Sequence, residues 1–119
     1  MNDYSGYGEV KLGDRVLPFK FGTNATALFC KAHNIDLFEI GSIMTGPLAI
    51  LEYAYYAYVT AQRINRQTVD VTIDEFMNLV DDNKDAITLF DNLIMSSKIL
   101  GFTIEELVKE GAALAKKNI

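Results

Sequence analysis

The sequence predicts a mostly helical α+β domain, in which an N-terminal β-hairpin precedes about five helices packed around a central helix rich in tyrosine and alanine. Apolar residues alternate with polar ones over residues 9–21, and from residue 23 onward they recur with helical spacing. Two Thr-x-x-Glu boxes then mark further helix starts. Half of the 119 residues are apolar, which suffices for one core. We expect residues 1–8 to be a flexible arm and residues 9–119 to form a single domain.

The hairpin is predicted over residues 9–22. Its first alternating run ends at Leu12, and Gly13-Asp14 provides a two-residue turn of type I′ or II′. In the second run Leu17, Phe19 and Phe21 share one face, because successive side chains of a strand point to opposite sides. A lone hairpin is marginally stable, so this face must pack against the helical part, residues 23–119, or against another chain.

Two helices follow the hairpin. The first begins at about residue 23, where Thr23 or Asn24 can cap it, and it ends at Asn34. The central helix begins at Pro47, since proline is favoured at the first helical position, and it extends to about residue 65. This helix is apolar all round, which is typical of a helix buried between layers.

Residues 72–119 are predicted to hold three more helices. Thr72 and Glu75 form a capping box that opens a short helix. The next helix covers about residues 85–100, with Leu100 facing inward and Gly101 ending it. A second capping box at residues 103–106 opens the final helix. The inward residues predicted for that helix are Leu107, Val108 and Leu114.

The tyrosines of the central helix are the strongest candidates for an interaction surface. They lie on successive sides of the helix, so we expect that they cannot all face the same core, and tyrosine is common at protein interfaces. Glu52, within the same apolar helix, is interpreted as an acid bonded to tyrosine hydroxyls or placed at an interface. The predicted interaction residues are Leu17, Phe19, Phe21, Glu52, Tyr53, Tyr55, Tyr56 and Tyr58.

The sequence predicts no catalytic residues, no cofactor and no metal site, and hence no enzyme. His33 is the only histidine, so neither a multi-histidine metal site nor an ordinary catalytic triad can be built. Cys30 is the only cysteine; it fits a reducing compartment, and we interpret it as a packed thiol. Asp81 and Asn83 match the start of a calcium loop, but Ala86 stands where that loop needs glycine.

Charge and hydropathy limit the classes of partner. The net charge is −5, and residues 67–119 hold ten acids against five bases. A nucleic-acid binder needs clustered positive charge, so we expect no nucleic-acid partner. The longest apolar stretch, residues 47–59, is interrupted by Glu52 and is too short to span a bilayer. No signal peptide is recognised at the N-terminus, and we expect a cytoplasmic protein without a membrane partner.

The order of features along the chain resembles a known family. The runs KLGDR at 11–15 and FKFGTN at 19–24 lead into a helix, small residues precede Pro47 and its Tyr/Ala-rich helix, and TIDEF follows at 72–76. Over roughly residues 9–100 this resembles the tail assembly chaperones of long-tailed bacteriophages and prophages.

The resemblance implies a specific function. Such chaperones bind the tape measure protein in the host cytoplasm, keep it soluble, and help to recruit tail tube protein subunits before they are displaced. Many form homo-oligomers, and many are also made as a longer frameshifted form. Two alternatives stay open: a structural phage tail or connector subunit, and a small regulatory binding domain.

Overall fold

The computed structural model of the protein describes residues 5–107 and 109, and these form the predicted α+β fold. The elements in chain order are β1 (Tyr7–Leu12), β2 (Arg15–Lys20), α1 (Thr23–His33), α2 (Ile40–Ile43), α3 (Pro47–Ile64), α4 (Ile73–Val80) and α5 (Ala86–Ser96). A 3₁₀ turn, Leu37–Glu39, precedes α2, and residues 104–107 begin a further helix. Val108 and Leu114, both predicted to face inward on that helix, lie outside the described residues.

The hairpin is longer at its start than the sequence predicts. Its strands pair antiparallel from Tyr7 opposite Lys20 to Leu12 opposite Arg15. Gly13 has a positive φ of 62° whereas Asp14 does not, which is the signature of a type II′ turn.

The prediction of a flexible arm over residues 1–8 is wrong for the described residues at its end. Tyr7 and Gly8 belong to β1, and the carbonyl of Gly6 accepts a hydrogen bond of 3.0 Å from the backbone N–H of Phe21. The hydroxyl of Tyr7 accepts a bond of 3.0 Å from Asn65 Nδ2, which ties this strand to the end of α3. The alternating pattern begins only at Glu9, because Gly8 interrupts it.

Helix boundaries follow the sequence signals at most ends. The N-cap of α1 is Gly22, and neither Thr23 nor Asn24 caps this helix. Asn34 ends α1 in the left-handed conformation, with φ at 54°, as predicted. Pro47 opens α3 as predicted.

The capping box of α4 is formed as its sequence predicts. The backbone N–H of Glu75 donates to Thr72 Oγ1 at 3.2 Å, and the backbone N–H of Thr72 lies 3.5 Å from Glu75 Oε1. At residues 103–106 the first half of the same motif is present, since the N–H of Glu106 donates to Thr103 Oγ1 at 3.2 Å.

The prediction of one helix over residues 85–100 with Leu100 inward is wrong. The helix α5 ends at Ser96, and Ser97 Oγ donates to the carbonyl of Ile94 at 2.6 Å. Ile99 and Phe102 then exchange two backbone hydrogen bonds of 2.8 and 2.9 Å around a two-residue turn. This turn carries Leu100 outward, where 65% of its surface is exposed.

The core is built around α3. This helix contacts β2, α1, α4 and α5, so it is enclosed on several sides. Phe19 of β2 stands edge-on to Phe90 of α5 at a centroid distance of 4.8 Å and to Phe76 of α4 at 6.0 Å. Among the described helices none is both long and apolar enough to cross a bilayer. The enclosure of α3 decides which of the predicted interaction residues reach the surface.

Candidate protein-binding surface

The apolar face of the hairpin lies in the core of this chain. Leu17, Phe19 and Phe21 are at most 3% exposed. The ring of Phe21 stands edge-on to Tyr53 at a centroid distance of 5.2 Å, and Phe19 lies 6.4 Å from Tyr58. These three side chains are therefore occupied by packing against α3 and α5, and they offer no surface to a partner of the folded chain.

Tyr53 is fully buried, and its hydroxyl belongs to an internal hydrogen-bond chain. Thr26 Oγ1 donates to the carbonyl of Gly22 at 2.7 Å, and Tyr53 Oη lies 2.7 Å from the same Thr26 oxygen. Because the carbonyl oxygen of Gly22 can only accept, the single hydroxyl proton of Thr26 goes to it, and Tyr53 donates to Thr26. Burial raises the pKa of Tyr53 to about 12, although the bond to Thr26 partly opposes the shift.

Tyr58 is also fully buried, and its hydroxyl bonds to the exposed Asp70. The hydroxyl donates to Asp70 Oδ1 at 2.9 Å, and Arg15 Nη2 donates to the same carboxylate at 3.3 and 3.4 Å. The Tyr58 bond, and then the Arg15 bond, hold the pKa of Asp70 below its usual value. This triad ties the α3–α4 connection to the tip of the hairpin.

Tyr55 and Tyr56 are half-buried. Tyr55 Oη donates to the carbonyl of Val71 at 2.8 Å, and its ring lies 5.8 Å from Phe76 of α4. The ring of Tyr56 is edge-on to Phe29 of α1 at 6.4 Å. Burial raises the pKa of both tyrosines, and the carboxylate of Glu75 adds to the effect at Tyr55.

Glu52 forms a side-chain contact with His33 that the sequence analysis missed. Its Oε2 atom lies 2.6 Å from His33 Nε2, and both side chains are partly exposed. Glu52 also accepts a hydrogen bond from Tyr56, one helical turn away, as the spacing predicts. The ring of His33 packs on Phe29 at a centroid distance of 4.5 Å. The pair thus joins the end of α1 to α3, and only the placement of His33 in space reveals it.

The four tyrosines therefore differ in burial: Tyr53 and Tyr58 lie in the core, whereas Tyr55 and Tyr56 are half-buried and pack against its edge. The helix α3 takes two of these rings into the core because it is enclosed by different elements on different sides. The large apolar side chains that the described residues leave exposed lie elsewhere. They are Val16, Phe38, Leu48, Val69, Leu89, Met95 and Leu100.

A surface recess, here called the α1 recess, lies beside the exposed side chain of Leu100. It encloses about 250 Å³ and is open to solvent. One side is formed by α1, another by the segment after α1, and the third by the turn at Leu100. The apolar lining comes from Ala27, Cys30, Ile35, Leu37, Ile99 and Leu100, and Asp36 is the charged residue of the lining. Burial, and then the charges of Asp36 and Glu39, raise the pKa of the Cys30 thiol.

Leu100 is held in a conformation that leucine rarely adopts. Its φ is 53°, and Gly101 follows with φ at 86°, so the two residues form a type I′ turn between Ile99 and Phe102. The backbone N–H of Leu100 donates to Thr23 Oγ1 at 2.9 Å, which fixes the turn to the first turn of α1. Sequence reasoning missed this feature because Leu100 continues the apolar spacing of α5.

No other kind of site stands out in the described residues. Among them, no group of three or more His, Cys, Asp or Glu side chains is arranged to hold a metal ion. Each buried side-chain nitrogen and oxygen there has a hydrogen-bond partner. Comparisons of the chain with family models, curated proteins and solved structures find no match.

Proposed function

We propose that this protein is a tail assembly chaperone of a long-tailed bacteriophage or prophage, acting by binding and not by catalysis. It binds the tape measure protein in the host cytoplasm, keeps it soluble and helps to recruit tail tube subunits. The observation that carries the proposal is the order of elements on which the family resemblance rests. The hairpin turn at residues 13–14, the entry through Gly22 into α1, the start of α3 at Pro47 and the capping box of α4 are all formed.

A binding role needs surface that the fold itself does not consume. The α1 recess and the exposed apolar side chains supply it, whereas Tyr53 and Tyr58 of α3 are buried in the core. An amphipathic helix can dock its apolar face into such a recess, and the tape measure protein implied by the resemblance is a long helical client. The net charge of −5 helps to keep a chaperone that exposes apolar surface in solution.

Co-expression with the tape measure protein encoded nearby tests the client role. We expect the soluble fraction of the client to rise, and the client to co-purify with the tagged chaperone. An unrelated helical protein of similar length, expressed in the same way, is the control and should gain nothing. Absence of both co-purification and solubility gain would contradict the proposal.

Analysis of purified virions separates this proposal from the alternative of a structural tail or connector subunit. A chaperone leaves before the tail is complete, so mass spectrometry of virions should not detect this chain. Its presence there in stoichiometric amount would favour the structural subunit. Sedimentation of the purified protein tests the further expectation that it forms a homo-oligomer.

A further inference from the structure

The exposed turn at Leu100 combines two unfavourable features at one residue. A leucine with φ at 53° is strained, because a type I′ turn favours asparagine or glycine at this position. The same side chain is 65% exposed, so most of its apolar surface stays in contact with water and does not stabilise the isolated fold. Strain of this kind persists only where the surroundings enforce it, and it concentrates at functional positions. Here the enforcement comes from the 2.9 Å bond to Thr23 and from the paired backbones of Ile99 and Phe102.

The α1 recess beside Leu100 has the size of a side-chain pocket. Sites for small molecules and cofactors usually enclose about 300–1,000 Å³. The recess encloses about 250 Å³ and is open to solvent, which suits one or two apolar side chains presented by a larger partner. Since the turn is fixed to α1, the recess and its leucine are preorganised, which lowers the entropic cost of binding.

The charge of the recess argues for a basic partner segment and against a second copy of this chain. Asp36 is the charged residue of the lining, and Glu39 also acts on Cys30 within it. Among the described residues, the exposed leucines that lie in helices have acids one turn away, Glu52 for Leu48 and Asp85 for Leu89, and no base. Docking either helix into the recess would bring like charges together.

We infer that the α1 recess is the docking site for an amphipathic helix of another protein. The helix places an aliphatic side chain in the recess against Leu100 and a lysine or arginine beside Asp36. Under the proposed function, on which this identification of the partner rests, the helix belongs to the tape measure protein. Leu100 is the anchor contact, because it is exposed at the edge of the recess and its turn is already fixed to α1, so that little conformational freedom is lost on binding.

Two peptide probes test the recess without the client. The lysine probe is an alanine-based amphipathic helix with leucines at i and i+4, flanked by lysines; the glutamate probe carries glutamates instead. By fluorescence anisotropy the wild-type protein should bind the lysine probe at least about fivefold more tightly than the glutamate probe. Replacing Asp36 by asparagine should bring the two affinities closer together. Equal binding of both probes by the wild-type protein would overturn the charge argument.

Leu100→Asn is the decisive variant, because asparagine suits the turn while it removes the anchor. Its Tm should equal or exceed that of the wild type, and its affinity for the lysine probe should fall about tenfold. Ala27→Phe, which fills the recess from an exposed position on α1, should weaken binding similarly. The matched control is Leu48→Asn, the same change at a leucine 75% exposed on α3, which should alter affinity less than about twofold.

The outcomes separate the docking site from the proposed function. If the wild type binds the lysine probe as described but never the tape measure protein, the recess inference holds and the chaperone proposal fails. If Leu100→Asn and Ala27→Phe retain the tape measure protein as well as the wild type does, the chaperone proposal holds and the docking inference is overturned. If Leu100→Asn changes the oligomeric state and leaves probe binding unchanged, the recess binds a second copy of this chain, and the docking inference is again overturned.

Discussion

Replacement of Thr26 by valine should destabilise the protein through the hydroxyl of Tyr53. Thr26 accepts from Tyr53 and donates to the carbonyl of Gly22, both at 2.7 Å. Valine has nearly the same shape, so packing is kept while the acceptor for Tyr53 is lost. Gly22 retains one partner, because its carbonyl also accepts from the backbone N–H of residue 26 at 3.0 Å. Tyr53 loses the acceptor of its hydroxyl proton, and its side chain is wholly shielded from water.

The two members of the pair should differ in cost. Stranding a buried donor costs about 1–3 kcal/mol, so Thr26→Val should lower the free energy of unfolding by about 2 kcal/mol. Tyr53→Phe removes the donor and leaves Thr26 bonded to Gly22, so its cost should be about 1 kcal/mol. The double variant strands nothing, and its loss should fall about 1 kcal/mol short of the sum of the single losses.

Urea unfolding followed by far-UV circular dichroism measures these differences, since the chain has no tryptophan. In thermal unfolding, each kcal/mol should shift Tm by about 4 °C at this chain length. The matched control is Thr60→Val, also at a buried helical threonine, whose hydroxyl bonds only to the carbonyl of Tyr56. It should cost less than about 0.5 kcal/mol. Equal losses for the two valine variants, or additive losses in the double variant, would refute the reasoning.

Three further predictions concern ionisable groups. Because the pKa of Tyr53 is raised to about 12, the stability that its protonated form contributes should be fully present below pH 10 and should fall as the pH rises toward 12. In Tyr53→Phe the urea midpoint should therefore decline less steeply over this alkaline range. The pKa of Asp70 is lowered, chiefly by the hydrogen bond from Tyr58, so the stability that its carboxylate contributes should be present above pH 3.8 and be lost as the pH falls further. In Asp70→Asn the free energy of unfolding should therefore fall less steeply with decreasing pH in this acid range. Glu52→Gln should cost less than about 1 kcal/mol through loss of the His33 pair, and 1 M salt should shrink that cost, whereas an unchanged cost would argue against an ionic contribution.

The parts of the fold that the sequence predicts are those set by local chemistry. Gly13 fixes the hairpin turn because it tolerates positive φ. Pro47 opens α3 because its missing N–H is not needed at the first helical position. Thr72 and Glu75 open α4 because each satisfies a backbone donor of the other. Such signals act within one turn of chain, so they do not depend on what packs around them.

The features that escaped prediction depend on contacts between distant parts of the chain. Apolar spacing cannot tell that α5 stops at Ser96, because Ile99 and Leu100 continue its period while the Ile99–Phe102 pairing takes over the backbone. Nor can helical spacing tell how many layers enclose α3. Tyr53 meets Phe21 on one side, and its hydroxyl meets Thr26 of α1, which is 27 residues away in sequence.

The burial of the tyrosines changes what a binding function requires of this chain. A partner could reach Tyr53 only by displacing the hairpin and breaking the bond to Thr26, so it would have to compensate much of the unfolding free energy. Leu100 imposes no such cost, because it is already exposed and its turn already fixed. Under the proposed function the client has to be released when the tail tube assembles, and a preformed contact allows release without refolding of this chain. Reversible binding is therefore better served by the α1 recess than by the buried tyrosines of α3.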